Sequence, residues 1–164
     1  MTNDAVFRPL DSLQLMAYII ERCNALGVGR LNITKLQKLM YCCFGVVFAA
    51  YDIRLCDENP EAWQYGPVFP RTLLAMKTMG SIGEFEQTYR NRDDSFNEQK
   101  TKFHYVFSAI DKTLIFFGNY SASQLSNWSH LEGSPWNESS NNGKNLYRQI
   151  DCSKIKTYFK ENVI

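Results

Sequence analysis

Few side chains in this chain could do chemistry at neutral pH, and they are scattered. The two histidines, His104 and His130, lie far apart. The cysteines are Cys23, Cys42, Cys43, Cys56 and Cys152, and no two have the spacing of a zinc-ligand pair. Cys56 beside His130 could form a nucleophile and base, and Glu61 with Glu132 an acid and base. Nothing in the order of residues brings either pair together, and a loop cysteine without an activating neighbour is usually inert. No glycine-rich phosphate loop follows a strand, and there is no G-x-S-x-G elbow. The sequence offers no catalytic set, no metal-ligand set and no cofactor loop.

Recognition chemistry is better represented. Glu61-Ala62-Trp63-Gln64-Tyr65-Gly66-Pro67-Val68-Phe69-Pro70 carries two large aromatics next to a Gly-Pro pair. Glycine and proline are poor central-strand residues, so this run reads as a stiff turn presenting Trp63 and Tyr65, residue types that anchor interfaces. A second cluster, Trp128-Ser129-His130-Leu131-Glu132-Gly133-Ser134-Pro135-Trp136, mixes aromatics and polar groups. There His130 is either a functional group or a ring that ties down its loop; His104, beside Phe103, reads as structural. Lys35, Lys38 and Tyr41 follow helical spacing and read as a solvated helix edge or as a contact surface.

The elements that must position these groups read as helices. Leu13, Met16, Ile19, Ile20 and Cys23 share one face of a helix from Asp11 to Leu26, stopped by Gly27 and Gly29. A second helix is expected from Thr34 to Tyr51, with Thr34 and Gln37 as a capping box. It is apolar almost all round and so belongs at the centre, with Gly45 admitting a close neighbour. Ile53 and Leu55 are expected to pair with Ala62-Trp63 across the Asp57-Glu58-Asn59-Pro60 turn. Pro70 opens a third helix with Leu73, Leu74 and Met76 inward, ending at Gly80. Residues 81–95 read as a solvated connection. A capping box at Ser95-Phe96-Asn97-Glu98 starts a long helix with Phe103, Val106, Phe107, Ile110, Leu114 and Phe117 inward, closed by Gly118. Ser121-Ala122-Ser123-Gln124 caps a short helix through Leu125 and Trp128. Residues 131–145 read as loop, and a final helix or strand carries Ile155, Tyr158 and Phe159. The expected fold is therefore mainly α: one compact helical domain over residues 1–164, built around a central buried helix, with a small β-hairpin.

The chain has 164 residues and a net charge of +1. That balance gives no electrostatic case for nucleic acid or a membrane surface. The longest uncharged stretch, Leu39 to Tyr51, is about 13 residues, short of a bilayer span. Asp4, Arg8 and Asp11 interrupt any secretory leader. An odd cysteine count with an adjacent apolar pair reads as reduced thiols, which points to the cytoplasm.

Three blocks carry a family resemblance: Leu36-Gln37-Lys38-Leu39-Met40-Tyr41, the run from Glu61 to Pro70, and Leu125-Ser126-Asn127-Trp128-Ser129-His130 with Pro135-Trp136. In this order they resemble the Panacea, SocA-like antitoxin family, long labelled phage-associated protein, from about residue 12 to 160. The resemblance implies a mainly helical domain with a small hairpin that binds and neutralises a protein toxin encoded beside it. One type resembles an adaptor that delivers its toxin to a protease, others sit in prophages and mobile elements, and the family has no agreed enzymatic activity. Partner contact is then expected at Trp63, Tyr65, Gly66, Pro67, Pro70, His130, Trp136, Lys38 and Tyr41, and exposed aromatics would permit a homodimer. The competing readings are a small hydrolase using His130 with Glu61, Glu132 or a serine of the 126–134 loop, and a DNA-binding autoregulator.

Overall fold

The computed structural model describes residues 5–164; Asp4 lies outside them. The first helix, α1 (Ser12–Leu26), starts where expected, because the Asp11 carboxylate accepts the free N–H groups of Leu13 and Gln14. The central helix, α2 (Ile33–Tyr51), begins differently. Its cap is Asn32, whose side-chain oxygen takes the N–H of Lys35. Gln37 is therefore not half of a capping box: it accepts the N–H of Phe69 at 2.8 Å and ties α2 to a later segment.

α2 is the apolar axis of the protein. It packs against α1, against α3 (Pro70–Thr78), α6 (His104–Phe117), α7 (Ala122–Ser129) and α9 (Cys152–Asn162), and against the sheet. By length and composition it could cross a bilayer, but here 72% of its apolar window is buried inside the fold. Gly45 has the expected function. A Cβ built there would lie 2.4 Å from the Phe159 ring of α9, so only glycine lets the two helices approach.

The sheet is antiparallel, in the order β2-β1-β3, from β1 (Glu61–Trp63), β2 (Gly66–Val68) and β3 (Arg148–Gln149). The hairpin thus sits one segment later than its sequence indicated. Gly66-Pro67 is not the turn but strand β2, with Ala62 opposite Pro67 and Gln64-Tyr65 as the two-residue loop. Proline is tolerated because β2 is an edge strand. Leu55 does not pair with Ala62; its neighbour Cys56 bridges Leu10 instead. The Asp57–Pro60 cluster serves α3, where the Glu58 carboxylate accepts the Thr72 hydroxyl at 2.8 Å and the Arg71 N–H.

Three further expectations are corrected. Leu74 is 65% exposed, while Thr72, Leu73 and Met76 face inward. Residues 81–95 are not a simple solvated connection: α4 (Ile82–Tyr89) packs on α1 and buries Phe85 completely. The long helix is two helices, α5 (Asp94–Lys102), capped by Asp93, and α6, with the break at Phe103. The inward stripe from Phe103 to Phe117 is buried as read. The Ser121–Gln124 capping box is complete. The 131–145 stretch contains one short helix, α8 (Pro135–Ser139), and the final element is the helix α9.

Candidate recognition site

The hairpin is short, and a two-stranded ribbon of this size does not stabilise itself in water. Its carbonyls are instead held by donors from the rest of the chain. Trp136 Nε1 donates to Trp63 O at 2.7 Å, and a ring nitrogen of His130 meets Gln64 O at 3.0 Å. Ser126 Oγ donates to Tyr65 O at 2.6 Å, and Lys38 Nζ to Pro67 O at 3.0 Å. On the other edge, Tyr147 N–H donates to Ala62 O and Ile150 N–H to Pro60 O. The backbone of the loop is fixed from α2, α7, α8 and the strand-β3 segment at once.

This scaffold separates the expected contact residues into two groups. Tyr65 is 65% exposed at the tip. Trp63 is half-buried, its indole N–H on Glu61 and its ring edge-to-face with Tyr147 at 5.1 Å. Pro70, at the first position of α3, is also half-buried. Gly66, Pro67, Lys38, Tyr41 and Trp136 are buried. The Trp136 ring lies edge-on to His130 at 3.9 Å and supports the loop from below. Tyr41 packs against Phe159 and Trp128, and complete burial pushes its phenol well above the ordinary value. The reading of Lys35 and Lys38 as a solvated edge is overturned. Lys35 is 3% exposed and donates to Gly29 O and Gly118 O, closing the ends of α1 and α6.

His130 is tied to backbone on both sides, Nδ1 to Ser126 O at 2.6 Å and Nε2 to Gln64 O. A neutral ring donates to one of these carbonyls and a protonated ring to both. The nearby serines are committed as well: Ser126 to Tyr65 O, Ser129 to Ser126 O and Ser134 to Ser129 O. Glu61 accepts from Trp63, and Glu132 is exposed. None of the hydrogen bonds of His130 reaches a carboxylate or a serine hydroxyl, so a nucleophile-and-base arrangement is not assembled here. Cys56, expected to be the exposed cysteine, is buried, and desolvation pushes its thiol up to about 12.

Beside the hairpin lies a cavity of about 330 Å³ between α2, α3 and Tyr147. Trp63, Tyr65 and Tyr147 form its aromatic wall, with Lys38 and Lys77 also lining it. Lys38 is 1% exposed, and burial pulls its ammonium down to about 8 from 10.5. Its stem is pinned under Gly66: a Cβ there, on a backbone of φ +115°, would lie 2.6 Å from Lys38 Cε. Sequence reasoning missed Tyr147, which is 63% exposed with φ +68°. The available signal was a lone Leu-Tyr pair inside a polar stretch.

Fold and site together define a helical body holding an aromatic hairpin whose backbone is bonded by other segments, without an assembled catalytic set among the described residues. The profile of the antitoxin SocA-like, Panacea domain family matches residues 36–137, and the chain belongs to that family. Antitoxin SocA of Caulobacter vibrioides (strain NA1000 / CB15N) is similar, 26% identical over 161 residues, covering 89% of this chain and 80% of that protein. No solved structure matches significantly.

Proposed function

We propose that this chain is an antitoxin that binds and neutralises a protein toxin encoded by the adjacent gene. The observation that carries the reading is the hairpin tip, an exposed aromatic on a backbone held by donors from α2, α7, α8 and the β3 segment. Such a tip loses little conformational entropy on binding. Tyr65 and Trp63 supply the contact, with Tyr147 beside them and Pro70 at the rim. Lys38, Tyr41, Gly66, Pro67, His130 and Trp136 position that surface from behind. Family membership and the similarity to a protein named as an antitoxin support the same assignment.

Co-expression with the neighbouring gene product, scored for growth rescue and co-purification, tests the proposal. Rescue with a stable complex is expected. Tyr65→Ala should weaken that complex by about 2 kcal/mol or more while leaving the fold intact. Wild-type affinity in both Tyr65→Ala and Trp63→Ala would remove the hairpin from the interface. The half-life of the toxin with and without this chain separates occlusion from delivery to a protease.

A further inference from the structure

The Lys38 ammonium has three donors and, among the described residues, one acceptor, Pro67 O at 3.0 Å. No carboxylate of the described residues pairs with it, and Cys42, one turn away on α2, stays a neutral thiol because burial pushes its ionisation up. A lone buried ammonium is unfavourable unless it is paired, and pairing needs an anion. The cavity that Lys38 lines, about 330 Å³, has room for one. It has a second lysine, Lys77, at its exposed edge, no aspartate or glutamate in its lining, and aromatic surfaces from Trp63, Tyr65 and Tyr147. Gln37 carries no charge, and its amide is already engaged with Phe69 N–H and the Met76 sulfur, so it is not free to accept from Lys38 either.

We infer that the cavity beside the hairpin is a socket for an acidic side chain of the partner protein, its carboxylate reaching Lys38 and Lys77 and its methylene stem lying against Trp63 and Tyr65. This rests on the antitoxin reading for the identity of the partner and adds the chemistry by which the partner is recognised. The charge complementarity is one-sided: the pocket contributes cations and aromatic faces, and the partner must contribute the anion. Because the socket and the hairpin tip share Tyr65, one acidic residue docked there would place the neighbouring partner surface on the exposed aromatics.

The test uses the full chain with lysine ε-carbons and tryptophan indoles isotopically labelled, titrated with N-acetyl-glutamate methylamide. Saturable shifts of the Lys38 and Trp63 signals are expected. The glutamine analogue should bind about tenfold more weakly or worse, since it lacks the charge-assisted bond. Lys38→Met should lose the response with its fold intact, and Lys77→Ala, at an exposed position, should weaken it about two- to threefold. Equal binding of the two analogues, or no saturable shift up to the solubility of the probe, overturns the socket. Acetate or inorganic phosphate saturating at the same concentration as the glutamate probe also overturns it, in favour of a free-anion site. The same variants are scored for toxin co-purification. If wild type and Lys38→Met capture the toxin equally, only the socket falls. If wild type captures no toxin but the titration succeeds, only the antitoxin assignment falls.

Discussion

Lys38→Met should make the protein more stable at neutral pH, against the ordinary expectation for a buried, hydrogen-bonded side chain. Burial lowers the Lys38 ammonium from 10.5 to about 8, which corresponds to about 3 kcal/mol against its charged form in the folded state. At pH 7 the ammonium is charged in both folded and unfolded chains, so this cost is fully present. Methionine keeps the apolar stem and removes the charge, but leaves Pro67 O without its donor, a loss of about 1 kcal/mol. The net expectation is a gain of about 2 kcal/mol at pH 7. Between pH 8 and 10.5 the unfolded chain binds more protons than the folded one, so wild type regains stability as pH rises. The advantage of the variant should therefore fade across that window and reverse near its upper end. Urea unfolding of both proteins at several pH values reads this as a difference, in which the other titrating groups cancel. A variant less stable than wild type by the same amount at every pH would refute the reasoning, since Lys38 would then act through its hydrogen bond rather than through an unpaired charge.

Further expectations concern the helices. Gly45→Ala should cost about 2 kcal/mol in thermal unfolding, because the Phe159 ring has no room to withdraw from the new methyl and overpacking outweighs helix propensity. Phe85→Ala should cost about 3–5 kcal/mol, the range for a fully buried phenylalanine, and an effect below about 1 kcal/mol would return α4 to the status of a solvated connection. Asn32→Ala should lose about 1 kcal/mol with the cap of α2, while Thr34→Ala, at an exposed position without a capping bond, should be close to neutral by the same chemical denaturation. Tyr65→Ala should leave the melting temperature nearly unchanged, since the side chain is largely in solvent.

The helices with a strong apolar period were legible from the residues. The Phe103–Phe117 stripe, the apolar α2 and the Ser121 cap each carry a local physical signature, and local signatures survive in a folded context. What could not be read locally was misplaced. α4 contributes a single fully buried side chain, Phe85, so its period is too thin to register against a polar background. Gln37 has the spacing of a cap, but its amide is drawn away to Phe69, far along the chain. Lys38 carries the polarity of a surface residue and is interior only because the hairpin closes over it. At the site, the aromatics of the hairpin and the supporting loop were both identified from sequence. Which of them face outward was not, because that depends on Trp136 and Tyr147 meeting Trp63 across long chain separations.

The hairpin is secured largely by segments that follow it: Ser126 and His130, then Trp136, then Tyr147 and Ile150. Proteins leave the ribosome N-terminus first. A nascent chain that has emerged only past Val68 holds the whole hairpin sequence and Lys38, yet none of those later donors. The aromatic tip thus acquires its shape only after residues 126–150 have emerged, and chains stopped before them should be unable to capture a partner. On the proposed antitoxin function, this couples competence to the emergence of residues 126–150. Each molecule able to bind is one whose helical body has already closed, and proteolysis within residues 126–150 should switch off recognition while the hairpin's own covalent sequence remains intact.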